Sequence, residues 1–284
     1  MTTVATDRLK KVFGLSLGYL VLIVVAVLVT VPAAWMFISS FKVDSELMLW
    51  PIKILPTEWH FENYLYVFTL PPFLQIALRT AALAFVCSAL GALTSAMGGY
   101  GFARYLDVRG NKALFRIVLI LLVVPGVVMS IPQFILYSVL GLTNTYWPWI
   151  LPALTGGAYS IFLFRQFFLT VPKELEEAAA MDGCGVFRFF WQILLPNSKP
   201  VLATVMIFSF QAIWGDYFGP MIYLTYKNTL LGYVMATAFV DERGIALRTP
   251  SLAATMYYML PLVVFFFIGQ KYILKGFITS GLKG

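Results

Sequence analysis

Long uncharged, apolar runs alternate with short clusters of charge along this chain of 284 residues, and the length of each run predicts what it forms. Thirty uncharged residues separate Lys11 from Lys42, and 24 separate Arg79 from Arg104. A helix needs about 20 apolar residues to cross a bilayer, so each of these runs predicts one span. The 48 uncharged residues between Arg116 and Arg165 are too many for a single crossing. Within them "GLTNTYWP", Gly141 to Pro148, supplies turn formers and interfacial aromatics and divides the run into two helices. Only 16 uncharged residues lie between Lys199 and Asp216, which predicts a short fifth span with Asp216 near an interface or an aqueous cavity. A sixth span follows from the 22 uncharged residues between Arg248 and Lys271.

The expectation is therefore an all-α membrane protein with six transmembrane helices. Its parts are an N-terminal stretch 1–14, a first helix 15–41, an outer linker or cap 42–74 containing Pro51, Pro56, Pro71 and Pro72, and a core 75–284. The first apolar run is too long for the 7–15-residue core of a signal peptide and is expected to be a retained helix. Pro125, Gly126 and Pro132 in the third span and Pro261 in the sixth are expected to bend their helices. Small residues from Ser88 to Ala103, "SALGALTSAMGGYGFA", permit close helix approach, which suits bundle packing or a conducting surface. No internal repeat or inverted half stands out.

Composition agrees, with 60% hydrophobic and 12% charged residues, a balance that excludes an ordinary soluble domain. The charges are also unevenly placed. If both termini are cytoplasmic, 14 of the 20 Lys and Arg fall on the inner side, whereas the acids divide almost evenly. The net charge of +7 is then a topological signal and gives no reason to expect a nucleic acid partner. His60 has no metal-ligating neighbours in sequence, and Cys87 and Cys184 fall where a mutual disulfide is implausible. No metal or histidine-based catalysis is expected.

One passage breaks the apolar pattern after the fourth span: "ELEEAAAMDGCGVFRFFWQILLP", Glu174 to Pro196. Pro172 suits a first helical turn, Glu174, Glu176 and Glu177 favour a helix N-terminus, and Ala178 to Ala180 have high helix propensity. Asp182-Gly183-Cys184-Gly185 breaks that helix, since glycine accepts the left-handed conformation of a C-terminal cap. Phe187 to Leu195 then predict an aromatic helix on the bilayer surface, with Pro196 returning the chain to the membrane. The whole, 172–196, is a polar elbow on the cytoplasmic side.

Glu177-Ala178-Ala179, Gly183, and Ile193, Leu195 and Pro196 stand at the spacing of the "EAA…G…I.LP" motif of ABC importer permeases, which this passage closely resembles. "SSFK", "ENY", "YGFAR", "WGDYFGPMIYL" and "GLKG" further resemble maltose-type carbohydrate permeases, in particular the shorter, second membrane subunit of such a pair. The resemblance covers nearly the whole chain and implies a type I ABC importer permease fold. It implies a bacterial or archaeal cytoplasmic (inner) membrane location, a second permease subunit, two ATPase subunits, an extracytoplasmic solute-binding protein and a carbohydrate substrate. In that family the elbow docks in a cleft of the ATPase, so Glu177, Ala178, Ala179 and Gly183 are the expected docking residues. Asp182 and Arg188 either join that surface or cap and solvate the elbow. No "GxxxxGK[ST]" run is present, so the chain is not expected to be an enzyme or to bind a cofactor; ATP and magnesium belong to the ATPase subunits.

Three further sites follow from the same resemblance. Gly281, Leu282, Lys283 and Gly284 correspond to a tail that reaches the ATPase dimer. "TAFVDERGIALRTP", with Asp241, Glu242, Arg243 and Gly244, is either a loop that probes the solute-binding protein or a plain solvated loop. Trp214, Asp216, Tyr217 and Phe218 offer aromatic faces and hydrogen-bonding groups for a sugar path, or form an interfacial aromatic belt. Glycerol phosphate or another polar solute is the alternative cargo, although no basic residue sits mid-span. A secondary transporter is a more distant alternative, and intramembrane acids arranged for ion coupling are not evident.

Overall fold

The computed structural model describes residues 2–69, 72–241 and 243–281, with side-chain surroundings for those between 14 and 271. In chain order its helices are α1 Thr2–Ser39, α2 Glu62–Tyr66, α3 Phe73–Arg104, α4 Asn111–Val123, α5 Gly126–Val139, α6 Trp147–Thr155 and α7 Ala158–Thr170. They continue as α8 Lys173–Met181, α9 Val186–Phe189, α10 Leu195–Asn197, α11 Lys199–Trp214, α12 Phe218–Tyr223, α13 Leu231–Thr237 and α14 Arg248–Gly281. Three stretches, within α1, α3 and α14, are each long and apolar enough to cross a membrane. The pairs α4/α5 and α9–α10/α11 reach that length only together, bent by 104° and 79°.

Among the described residues, the first, second and sixth expected spans are thus matched by single helices and the third and fifth by bent pairs, whereas α6 and α7, at the place of the fourth, do not reach that length and apolarity. The single helix expected after Arg116 stops at Val123, because Pro125 supplies no amide hydrogen and holds Val124 extended. Pro132 and Pro261, by contrast, lie inside uninterrupted helices. The helix expected after Pro148 is cut at Gly156-Gly157. Gly156 has φ +79°, the Gly157 amide donates to Ser95 Oγ at 3.2 Å, and Thr94 Oγ1 donates to the Ala153 carbonyl at 2.7 Å. Two polar residues of α3 thus satisfy backbone groups that the break releases.

The chain forms two compact units, residues 1–71 with 239–258, and residues 72–238 with 259–284. In the first, the outer linker packs against the 239–258 segment, with Tyr64 and Phe68 in ring contact with Tyr257. Phe41 is buried among Phe37, Trp59, Phe61 and Tyr64, with ring centroids 5.0–5.3 Å apart. Lys42 is fully buried, its Nζ donating to the Lys53 carbonyl at 2.6 Å and lying 4.6 Å from the centre of the Trp35 ring. The Glu46 carboxylate accepts hydrogen bonds from the Thr57 amide and hydroxyl, both at 2.8 Å. Asp44 accepts from the Arg248 and Thr249 amides and the Thr249 hydroxyl at 2.6–3.0 Å, satisfying donors at the start of α14. His60 pairs with Glu62 through Nδ1.

In the second unit α3 is the central helix. Ala92, Ala96, Gly99 and Ala103 form a buried stripe along it. A methyl group on Gly99 would lie 2.6 Å from Phe164 Cβ and 2.9 Å from the Arg165 backbone nitrogen, so α3 and α7 cross at near contact. The stripe packs with Phe164, Phe168, Phe189, Phe190, Leu194, Val201 and Val205 into one apolar core. Small residues here serve packing.

Candidate functional site

Helix α7 ends at Thr170, and Val171 and Pro172 are extended before α8 begins at Lys173. Pro172 thus starts a new helix, and the acids Glu174 and Glu176 follow in its first turn. At the other end of α8 the Gly183 amide donates to the Ala180 carbonyl at 3.0 Å and the Cys184 amide donates to the Ala179 carbonyl at 2.9 Å. With Gly183 at φ +76°, these bonds make a Schellman cap. The turn then delivers α9, as the glycine spacing predicts.

The returning half of the elbow differs from the expected surface helix. Phe189, Phe190 and Leu194 are buried in the core, Phe190 packing 5.6 Å from the Tyr100 ring, while Phe187 is 70% exposed. Residues Phe190–Leu194 form a π-helical turn. That extra residue per turn lets successive aromatics reach the core. Nor does Pro196 turn the chain: it lies in the first turn of α10, and the bend comes at Ser198, whose hydroxyl donates to the Leu194 carbonyl at 2.6 Å.

The docking residues separate into two groups. Glu177, Ala178, Asp182, Gly183 and Arg188 are all exposed on the elbow. Arg188 Nε donates to Gln192 Oε1 at 2.9 Å, one helical turn away. Ala179 corrects the expectation, because it is 8% exposed and sits in the core. Its small side chain lets α8 approach the bundle, and it offers nothing to an outside partner.

Sequence reasoning also passed over Glu176. Its carboxylate accepts a 2.5 Å hydrogen bond from Tyr100 Oη and lies 3.1 Å from Arg104 Nε, in an ion pair whose N–H is poorly aligned for a hydrogen bond. Arg104 also donates from Nη2 to the Val171 carbonyl at 3.0 Å. The available signal was phase: Glu176 lies three residues before Ala179, so both share the inward face of α8, and Tyr100 and Arg104 share a face of α3.

The candidate solute path is more occupied than its composition implies. Trp214 is buried with its ring stacked on Phe210 at 5.7 Å. Asp216 accepts from Trp149 Nε1 at 2.8 Å and from the Gly219 amide at 2.9 Å, so both oxygens brace the turn after α11. Tyr217 stacks on Tyr233 at 5.7 Å, and Phe218 is 59% exposed. Beside them, α11 and α14 border an apolar cavity of about 550 Å³. Gln211 contributes an amide to its lining.

The "TAFVDERGIALRTP" segment is a tight hairpin. Val240 pairs with Ala246, the Asp241 carboxylate accepts from the Arg243 and Ile245 amides at 2.9 and 2.7 Å, and Gly244 takes φ +77°. Arg243, Gly244 and Ile245 are exposed at the tip, while Glu242 lies outside the described residues. Gly281 ends α14, and Leu282, Lys283 and Gly284 also lie outside the described residues.

Known proteins are similar to this chain in sequence and in fold. The family described as "Binding-protein-dependent transport system inner membrane component" matches residues 95–278, more than half of the chain. An arabinooligosaccharides transport system permease protein, AraQ, of Halalkalibacterium halodurans is 31% identical over 95% of this chain and 96% of its own. An sn-glycerol-3-phosphate transport system permease protein, UgpE, of Yersinia pestis is 26% identical over 92% of this chain and 95% of its own. Among solved structures, a bacterial ABC transporter involved in the import of the acidic polysaccharide alginate contains a chain with a TM-score of 0.75. That match has 22% identity and covers 92% of this chain and 96% of the other.

Proposed function

Since the chain belongs to the family of binding-protein-dependent transport system inner membrane components, we propose that it is one of two permease subunits lining the path of an ATP-driven carbohydrate importer. The observation that carries this reading is the elbow. Its Glu177, Ala178, Asp182, Gly183 and Arg188 are all exposed, while Ala179, Phe189 and Phe190 on its inner side are packed into the bundle core. An ATPase subunit docked on the exposed residues moves the bundle through the elbow. ATP and magnesium are held by the ATPase subunits, and the permease transmits force without hydrolysing nucleotide.

The remaining partners follow the same arrangement. Both termini and the elbow face the cytoplasm, and the hairpin tip at Arg243 and Gly244 meets a solute-binding protein outside. The cargo is a sugar or oligosaccharide, as in the name of the arabinooligosaccharide relative. The apolar cavity beside Gln211 suits the faces of sugar rings better than a phosphate, which calls for a basic pocket. The second permease subunit completes the path.

The test is reconstitution of the chain with candidate partner permease, ATPase and solute-binding subunits encoded beside it, followed by ATP-dependent uptake of labelled oligosaccharides and glycerol phosphate. Oligosaccharide uptake that needs all subunits is the expected result. Uptake without ATPase subunits overturns the importer reading, and uptake of glycerol phosphate alone overturns the carbohydrate assignment.

A further inference from the structure

The elbow is attached to the bundle by two joints, and neither is a continuous helix. Val171 and Pro172 are extended on one side, and the chain bends at Ser198 on the other. Covalent attachment alone allows the elbow to swing when its outer face is pulled. A separate set of contacts blocks that swing. Glu176 is the inward-turned member of the three glutamates of α8; Glu174 and Glu177 are exposed. Its two oxygens are held by Tyr100 at 2.5 Å and Arg104 at 3.1 Å, one turn apart on α3.

Arg104 serves both the elbow and its joint, because Nη2 bonds the carbonyl of Val171 while Nε faces Glu176. The Arg104 side chain is 6% exposed, so its charge is withdrawn from water and Glu176 is its neutralising partner. Such a pair tolerates little displacement, since separating it leaves a buried charge uncompensated. Tyr100, Ala103, Ala179, Phe189 and Phe190 belong to the apolar core on the inner side of the elbow, while the Glu176 side chain is 26% exposed. With Arg104 buried and Glu176 partly buried, the pair is less screened than one wholly on the surface.

We propose that Tyr100 and Arg104 are positioning residues that lock Glu176 to α3, so that displacement of the elbow moves the central helix instead of bending the Val171-Pro172 joint. The inference rests on the reading of the elbow as the ATPase docking surface. It assigns that elbow an inner latch, distinct from the exposed Glu177 face.

The test uses the complete transporter in proteoliposomes, with uptake and ATP hydrolysis measured in the same vesicles and divided by assembled complex. Glu176→Gln is expected to lower the ratio of solute moved to ATP hydrolysed by about fivefold or more, while ATPase subunits still co-purify. The exchange Glu176→Arg with Arg104→Glu is expected to recover part of that ratio relative to either single variant. Should Glu176→Gln fail to assemble, Tyr100→Phe removes only the hydroxyl and is expected to lower the ratio in the same direction. An unchanged ratio in assembled Glu176→Gln, or in assembled Tyr100→Phe where the former does not assemble, overturns the latch. Failure of the docking reading looks different: the unaltered chain then neither retains ATPase subunits nor couples hydrolysis to uptake.

Discussion

Gly183 has φ +76° and open space where a side chain would start, so the demand at this position is conformational, not steric. Asn enters the left-handed region more readily than β-branched residues do. Gly183→Asn is therefore expected to keep the α8 cap with a cost of about 1 kcal/mol, and Gly183→Val is expected to cost more and to unwind the last turn. Hydrogen exchange at the backbone amides of positions 183 and 184 measures this directly. Equal protection in both variants removes the conformational account. Asp44 makes a second residue-scale case, with a sign set by titration. Burial alone raises its pKa, but hydrogen bonds from the Thr249 side chain and backbone and the Arg248 backbone, with the Arg248 charge, hold it below the ordinary 3.8. A carboxyl depressed on folding stabilises fully above its unfolded pKa and loses that contribution as pH falls through the folded value. The stability gap between the unaltered protein and Asp44→Asn should therefore narrow below about pH 4, read from exchange at the start of α14.

At the scale of elements, α3 and α7 are locked by shape. A methyl on Gly99 meets Phe164 Cβ at 2.6 Å, whereas one on Gly98 meets the Ile161 side chain at 3.5 Å, an ordinary contact. Gly99→Ala is expected to destabilise by about 1–3 kcal/mol through overpacking. Gly98→Ala should be neutral or stabilising by up to about 1 kcal/mol, because alanine is the better helix former. Thermal unfolding of the two purified variants side by side checks the pair, and equal shifts would exclude the close crossing. Both glycines lie in one small-residue run, and sequence alone did not rank them. The rank depends on which face of α3 meets α7. Charge-free runs made helix locations legible because a charge at bilayer depth is costly. Breaks within apolar runs were less legible: Gly156-Gly157 is stabilised by Thr94 and Ser95 some 60 residues earlier, a long-range repair with no local signature. Elbow residues were legible as a set, yet Ala179 and Glu176 turned inward because the phase of α8 is set by Tyr100 and Arg104.

Over the whole molecule, sidedness decides whether the elbow and the hairpin can serve the partners assigned to them. The proposed orientation, which the 14-to-6 distribution of basic residues favours, has the α3–α4 turn and the elbow on the cytoplasmic face and the Asp241 hairpin outside. Asp107 and Arg243 are exposed at those two places, so cysteines there report orientation without disturbing a core. In a background with Cys87 and Cys184 replaced by alanine, a membrane-impermeant maleimide applied to intact spheroplasts should label Arg243→Cys and spare Asp107→Cys. Inside-out vesicles should reverse the pattern. Labelling of Asp107→Cys in intact spheroplasts would turn the elbow away from cytoplasmic ATPase subunits. The docking surface, the latch behind it and the solute-binding role of the hairpin would then fall together, because all three depend on that one orientation.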